Sequence, residues 1–171
     1  MRNVTLRARV AREAGQCFDR ISEFARYPDL VDVIRAVTVY PVTGDGTEQS
    51  AWEVYFRNGI LRWEETDWPD REALLIRFEQ IDGDFDHFAG SWEISADPAD
   101  SGASLVTFDS DFDFGIPSLA GILDPVAERV FKETIARVLT GLFDEIDVLG
   151  DPEVAAALAA TPAPAEAIGV G

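Results

Sequence analysis

Hydrophobic and polar positions alternate at the start of the chain and then change to a helical period. One face of residues 3–10 carries the apolar side chains of Val4, Leu6, Ala8 and Val10. This period of two predicts a half-buried β-strand. Over residues 12–24 the apolar positions recur at helical spacing, which predicts an amphipathic helix. Tyr27-Pro28 ends this helix, and Asp29 caps a short second helix that runs to Val33.

From residue 34 to residue 114 the pattern predicts six strands separated by turns. Gly44-Asp45-Gly46 is typical of a hairpin turn, and Asn58-Gly59 is a strong signal for a two-residue hairpin loop. The six predicted strands span residues 34–40, 50–57, 60–67, 73–81, 87–95 and 103–114.

The C-terminal part of the chain is predicted to form one long helix and a tail. Apolar residues keep a helical period from Pro117 to about Leu149, whereas residues 151–171 are rich in Ala, Pro and Gly and contain no aromatic residue. The sequence therefore predicts one folded domain over residues 1–149 and a disordered tail over residues 150–171.

This order of elements predicts the architecture. Consecutive strands joined by hairpins form an antiparallel sheet, and its apolar face needs a cover that only the long helix is large enough to supply. The predicted fold is α+β: a curved seven-stranded antiparallel sheet wrapped around a long C-terminal helix, with two short helices after the first strand.

The hairpin at Asn58-Gly59 also predicts which side chains face the helix. With a two-residue loop, Val54 lies opposite Trp63, Trp52 opposite Glu65 and Ser50 opposite Asp67, all on the inner face. The next strand is expected to place Phe78 opposite Trp63, which would also pair Arg62 with Glu79 and Glu64 with Arg77 on the outer face.

The predicted inner face mixes aromatic and polar residues. Ser50, Glu65, Asp67, Gly90 and Ser110 lie among its aromatic positions, and an unpaired buried charge costs several kcal/mol, about 3–5 where one partner is missing. This mixture favours a cavity with an aromatic wall and a polar end, in which Gly90 leaves space. The alternative is a plain aromatic core, with Glu65 and Asp67 bent outward to solvent at the strand end.

Composition narrows the classes of partner. The 171 residues are sufficient for one domain, and the formal net charge of −18 repels nucleic acid and anionic membrane surfaces. One Cys and one His make a thiolate or His-rich metal centre implausible, so no metal and no cofactor is expected. No apolar stretch approaches the ~20 residues of a membrane span, and no signal-peptide core follows Met1, so a cytoplasmic protein is expected.

Three segments resemble the START-like (SRPBCC) superfamily, and most of all its polyketide cyclase/aromatase and dehydrase branch. They are FARYPDLV at 24–31, GDFDHFAGSWEI at 83–94 and DFDFGIPSLAGILDPVAERVF at 111–131. The resemblance covers roughly residues 1–148 and implies the helix-grip fold. It also implies that Tyr27, Trp63 and Trp92 match aromatic residues of the family's pocket. Where aromatases carry a pocket serine and an arginine, this sequence has Glu65 and Asp67.

Two functions are compatible with these features. The first is a polyketide cyclase/aromatase-like enzyme that binds a hydrophobic poly-carbonyl or aromatic molecule, with an acyl carrier protein as a further partner. Its acid and base would be Glu65 and Asp67, and Ser50 and Ser110 would bind carbonyl oxygens. The second is a non-catalytic carrier or sensor of a quinone, lipid or polyketide. The predicted ligand-binding residues are Tyr27, Val31, Ser50, Trp52, Val54, Trp63, Phe78, Phe88, Trp92, Phe108, Ser110, Phe112 and Thr134.

Overall fold

The computed structural model of the chain describes residues 1–57, 59–114 and 117–160, which form one antiparallel sheet of eight strands and its covering helices. The strands are β1 (Arg2–Val10), β2 (Ile34–Val39), β3 (Glu48–Phe56), β4 (Gly59–Asp70), β5 (Leu75–Gly83), β6 (His87–Asp97), β7 (Asp100–Asp113) and β8 (Ile146–Leu149). The helices are α1 (Ala14–Ser22), α2 (Tyr27–Leu30), α3 (Pro117–Phe143) and α4 (Pro152–Ala160), with a 3₁₀ turn at Phe24–Arg26. The spatial order of the strands is β2-β3-β4-β5-β6-β7-β1-β8.

The α+β prediction is confirmed, and α3 is the cover of the sheet. Apolar residues on its described part are buried: Ala127, Phe131, Ile135, Ala136, Val138, Leu139 and Leu142. On the opposite side of this core, β1 buries the alternate positions that its pattern predicts. The core therefore lies between the concave face of the sheet and one helix.

The C-terminal segment differs from the prediction. Helix α3 ends at Phe143, where Asp144 adopts a left-handed conformation (φ 64°), and residues 146–149 pair with β1 as an eighth strand. Residues 152–160, predicted as part of a disordered tail, form α4. Asp151 caps this helix, accepting a hydrogen bond from the Val154 backbone and pairing with Lys132 of α3. Val154 is buried, so α4 packs on the domain. The rest of the predicted tail, residues 161–171, lies outside the described residues.

The β3–β4 hairpin has a different register from the predicted one. Trp52 lies opposite Trp63 and Ser50 opposite Glu65, because Phe56 pairs with Gly59. The loop therefore starts at Arg57, which adopts the left-handed conformation (φ 57°) that primed hairpin turns require. The pairing is displaced by two residues. An even displacement keeps every side chain on its predicted face.

The β4–β5 register is displaced further. Strand β4 continues through the predicted loop to Asp70, so Asp67 lies opposite Phe78, and a bulge at Glu64/Glu65 brings Trp63 opposite Gly83. A Cβ atom at Gly83 would lie 2.5 Å from the Cα of Trp63, so this close approach requires glycine. The predicted charge pairs do not form. Arg62 instead pairs with Glu53 at 3.0 Å.

Helix α3 approaches α2 closely at a glycine, and this contact yields a first testable prediction. A Cβ atom at Gly141 would lie 2.5 Å from the backbone oxygen of Leu30. Gly141→Ala gains up to about 1 kcal/mol of helix propensity but forces the two backbones apart, which typically costs about 1–3 kcal/mol. We expect a net loss of stability, measured as a lower urea midpoint. Gly44→Ala is the control, because no atom lies within 4 Å of its Cβ position; an equal effect of both substitutions would contradict the prediction.

Candidate functional site

A cavity of about 70 Å³ lies between the concave face of the sheet and α3. Strands β2 to β7, the segment around α2 and helix α3 all contribute to its lining. The lining residues are Phe24, Tyr27, Ile34, Trp52, Val54, Phe56, Leu61, Trp63, Glu65, Phe78, Phe88, Trp92, Phe108, Phe131, Thr134, Ile135 and Val138. We call this space the aromatic cavity. Nearly all of its described wall is apolar, and Glu65 is the one carboxyl among the described lining residues.

The aromatic wall is built from cross-strand pairs. Trp52 and Trp63 lie opposite each other on β3 and β4, and their rings stack with centroids 5.9 Å apart and planes 3° apart. Tyr27 meets Trp52 edge-on at 5.4 Å. On the other strands, Phe78 contacts Phe88 at 5.1 Å between centroids. Such contacts hold large flat side chains in fixed positions.

Glu65 and Asp67 form a buried pair, which we call the acid pair. They lie two residues apart on the inner face of β4 and are 4% and 0% exposed. The indole N–H of Trp63 donates to Oε1 of Glu65 at 2.7 Å, and the hydroxyl of Ser50 donates to Oδ2 of Asp67 at 2.6 Å. The two carboxyl groups are close enough that each affects the pKa of the other. Neither acid bends outward to solvent, so the alternative placement at the sheet rim is wrong.

Both acids of the pair have raised pKa values. Burial raises the pKa of Glu65 well above its usual range, and the adjacent Asp67 raises it further. Burial also raises the pKa of Asp67, although hydrogen bonds from Glu65 and Ser50 oppose this shift. Among the described residues, no N–H or hydroxyl group donates to Oδ1 of Asp67. The buried Oδ1 of Asp67 and the raised pKa values of both acids favour a proton shared within the pair.

A short chain of hydrogen bonds from β3 holds the Asp67 carboxyl in place. The indole N–H of Trp52 donates to the Ser50 hydroxyl at 2.8 Å, and that hydroxyl in turn donates to Asp67. Ser50 and Asp67 are completely buried and do not reach the cavity surface. The predicted role of Ser50, binding a ligand carbonyl, is therefore not supported, because its proton is already committed to Asp67.

The structure brings ten of the predicted site residues to the cavity surface. They are Tyr27, Trp52, Val54, Trp63, Glu65, Phe78, Phe88, Trp92, Phe108 and Thr134. Besides Ser50 and Asp67, three predicted residues lie elsewhere. Val31 packs on Gly141 of α3, Phe112 packs on Phe131 with centroids 4.9 Å apart, and Ser110 is buried beside Gly90. The hydroxyl of Ser110 has no hydrogen-bond partner among the described residues.

Gly90 serves the sheet and does not open the cavity. A Cβ atom at this position would lie 2.1 Å from the backbone oxygen of Asp109 on β7. Glycine is therefore required by the close approach of β6 and β7. The prediction that Gly90 leaves space for a ligand is wrong.

Seven lining residues were not predicted as ligand contacts. Three belong to the apolar stripe of α3, and the β3–β4 hairpin, the 3₁₀ turn and β2 supply the rest. They are Phe24, Ile34, Phe56, Leu61, Phe131, Ile135 and Val138. The helical period showed that the α3 residues face the sheet, but it could not show where the sheet curves away from the helix and leaves a gap.

Other chemistry is not indicated in the described part of the chain. Its residues contain no group of three or more His, Cys, Asp or Glu side chains that could hold a metal ion. Across the same residues, no helix combines the length and apolar character needed to cross a membrane.

Comparison with known proteins assigns the chain to a family. The family described as polyketide cyclase/dehydrase and lipid transport matches residues 10–139. The chain belongs to this family. The match spans most of the folded domain, including Glu65, Asp67 and the aromatic wall. No curated protein matches the chain.

Solved structures similar to this polyketide cyclase family member share its fold. A protein from Thermus thermophilus is 20% identical, with a TM-score of 0.76 over 84% of this chain and 95% of that chain. A START superfamily protein from Mycobacterium smegmatis is 19% identical, with a TM-score of 0.70 over 83% and 94%. An aromatase/cyclase from Streptomyces sp. R1128 is 18% identical, with a TM-score of 0.65 over 84% and 89%. These likenesses show a START-like helix-grip fold.

Family membership and the apolar cavity together identify this polyketide cyclase family member as a START-like protein that binds a hydrophobic small molecule.

Proposed function

We propose that the protein binds a hydrophobic poly-carbonyl or aromatic molecule in the aromatic cavity and promotes its cyclisation or dehydration. The observation that carries this proposal is the buried acid pair, with Glu65 in the wall of an otherwise apolar, aromatic cavity. Cyclisation and dehydration of a poly-carbonyl chain need one group that can accept a proton and later return it. A carboxyl pair with raised pKa values can do both near neutral pH.

The two acids have different tasks in this proposal. Glu65 faces the cavity and takes a proton from the carbon between two ligand carbonyl groups, while it passes its own proton to Asp67. In a dehydration, the same group then returns a proton to the ligand hydroxyl, which leaves as water. Asp67 does not touch the ligand and acts as the positioning residue and second proton carrier. Ser50 and Trp52 hold Asp67 in place.

The size of the cavity sets a condition on this function. Pockets that hold drug-sized ligands usually measure about 300–1,000 Å³, whereas the aromatic cavity encloses about 70 Å³. A small aromatic ring is therefore the natural first probe, and a longer chain requires the wall to move apart. Delivery of such a chain on an acyl carrier protein is part of the same proposal, because a tethered substrate needs only to insert its reactive end.

Turnover of a simple aldol tests the catalytic role. The aldol of benzaldehyde with acetone loses water to give benzalacetone, which is followed by its ultraviolet absorbance. We expect Glu65→Gln and Asp67→Asn each to reduce the rate at least about 100-fold, the typical contribution of general acid–base catalysis, with toluene binding unchanged. Glu64→Gln is the matched control, because Glu64 lies on the outer face of the same strand. An unchanged rate in Glu65→Gln would contradict the proposal.

The second candidate function is a non-catalytic carrier or sensor of a quinone, lipid or polyketide. The observation in its favour is the acid at position 67, where the aromatases that the sequence resembles carry an arginine. Native mass spectrometry of protein purified from its own host, with solvent extraction of the bound material, tests this function. A retained hydrophobic molecule in a protein that does not turn over the aldol would favour the carrier.

A further inference from the structure

The hydrogen-bond donors around Glu65 are already committed to the protein. The indole N–H of Trp52 donates to Ser50, and that of Trp63 donates to Glu65 itself. The Tyr27 hydroxyl donates to the backbone oxygen of Ile21 at 2.5 Å, and the Thr134 hydroxyl donates to that of Val130 at 2.8 Å. A ligand therefore meets oxygen acceptors at this end of the cavity.

Trp92 carries another indole N–H of the lining, but it lies far from Glu65. Trp92 is opposite Ile76 on β5, whereas Glu65 is opposite Gln80 on the same strand. Four residues of strand separate these partners by about 13 Å, at about 3.3 Å per residue. The end of the cavity at Glu65 is thus distinct in its chemistry from the end at Trp92.

The same end of the cavity is negatively charged. None of the ion pairs found in the described part of the chain includes Glu65 or Asp67. Glu48 lies opposite Asp67 on β3 and adds a third acid nearby. The stacked faces of Trp52 and Trp63 are also electron-rich, and such faces attract cations. The formal net charge of −18 also attracts cationic ligands to the molecule as a whole and repels anionic ones.

We propose that the ligand group that meets Glu65 is a hydrogen-bond donor, either a hydroxyl of a phenol or enol or an ammonium, and that this end of the cavity excludes carboxylates. The selection rests on the proposed binding of a hydrophobic molecule in the aromatic cavity. Glu65 accepts a hydrogen bond from the ligand, and the charge of the acid pair, which no protein cation neutralises in the described residues, strengthens that bond for an ammonium and opposes an anion. Poly-carbonyl compounds satisfy the same rule through their enol form.

Four single-ring probes that differ in one group test this selection. They are toluene, benzyl alcohol, benzylammonium and phenylacetate, titrated into ¹⁵N-labelled protein while the four indole N–H signals are followed by NMR. Signals of Trp52 and Trp63 report the cavity. Trp68 is the internal reference, because it lies outside the lining. We expect benzylammonium to bind at least about 10-fold more tightly than toluene, benzyl alcohol to be intermediate and phenylacetate to be the weakest.

A double variant separates charge from shape. Glu65→Gln with Asp67→Asn keeps the size of both side chains and removes the charge, so we expect the preference for benzylammonium over toluene to disappear. The control is Glu64→Gln with Asp82→Asn, which removes a directly paired set of acids on the outer face and should keep the preference. Equal affinity of all four probes for the parent protein would overturn the proposed preference for hydrogen-bond donors, but not the proposed binding in the aromatic cavity. Failure of toluene to shift Trp52 and Trp63 would overturn the proposed cavity binding.

Discussion

The Glu65→Gln variant is expected to be more stable than the parent protein in alkaline solution and equally stable in acid. Below about pH 4.3, the ordinary pKa of Glu, the parent carboxyl is protonated in both the folded and unfolded states. As the pH rises above that value, the unfolded chain releases the proton and the folded chain keeps it, because burial and Asp67 raise the folded pKa. The folded parent is therefore destabilised progressively, until the pH reaches the folded pKa.

Glutamine reproduces the protonated acid without titrating. Its amide oxygen can accept from Trp63, as Glu65 does, and its amide N–H can donate to Asp67. The stability difference in favour of the variant should grow by up to about 1.4 kcal/mol per pH unit over this window. Urea unfolding at about pH 4 and about pH 8 measures it, with Glu64→Gln as the control variant. A difference that does not change with pH would mean that the folded pair carries two charges.

The Val138→Asp variant is expected to lose the folded state. Val138 is 3% exposed on the inner side of α3 and lines the same cavity as Glu65. The substitution removes a buried side chain whose burial stabilises the fold by about 1.5–3 kcal/mol, and it places an unpaired carboxylate in the apolar cavity. We expect the free energy of unfolding to fall by more than about 4 kcal/mol, which is a large part of the roughly 5–15 kcal/mol of a typical domain.

An identical substitution on the same helix provides the control for Val138→Asp. Val126 is 45% exposed, so Val126→Asp should change the stability by less than about 0.5 kcal/mol. Circular dichroism and thermal melting of both variants make the comparison. A cooperative transition of Val138→Asp near the parent melting temperature would show that α3 is not the essential cover of the sheet.

Side-chain faces were predictable from the sequence, whereas strand partners were not. Alternation along β3 and β4 depends only on local period, so Ser50, Glu65 and Asp67 were placed on the inner face. The partners depend on where each turn closes. Arg57 adopts a left-handed conformation that an arginine does not predict, and β4 continues past Pro69 to Asp70. The β3–β4 register is displaced by two residues and the β4–β5 register by four between Glu65 and Asp70, and these even displacements keep the inner face. The bulge at Glu64/Glu65 takes up the odd displacement that brings Trp63 opposite Gly83.

The features that the sequence could not show are those set by distant contacts. Strand β8 has only four residues and exists because β1 offers it an edge, more than 130 residues away in the chain. Helix α4 depends on the position of Lys132 beside its cap, Asp151. The sequence likewise placed two acids on one face of β4, but it could not show that only Glu65 lines the cavity. Asp67 is instead hydrogen-bonded to Ser50 outside the described lining.

The place of β1 in the sheet has a consequence for how the protein folds. Strands β2 to β7 pair with their neighbours in sequence. In the part of the chain that the structure describes, β1 pairs instead with β7 and β8, and Arg2 lies opposite Phe112. During synthesis the first strand, with its apolar face of Val4, Leu6 and Ala8, emerges long before either partner. Pairings this distant slow folding toward the millisecond-to-second range. The nascent chain therefore carries β1 as an unpaired, half-hydrophobic strand until β7 has been synthesised, and unpaired strands of this kind favour aggregation.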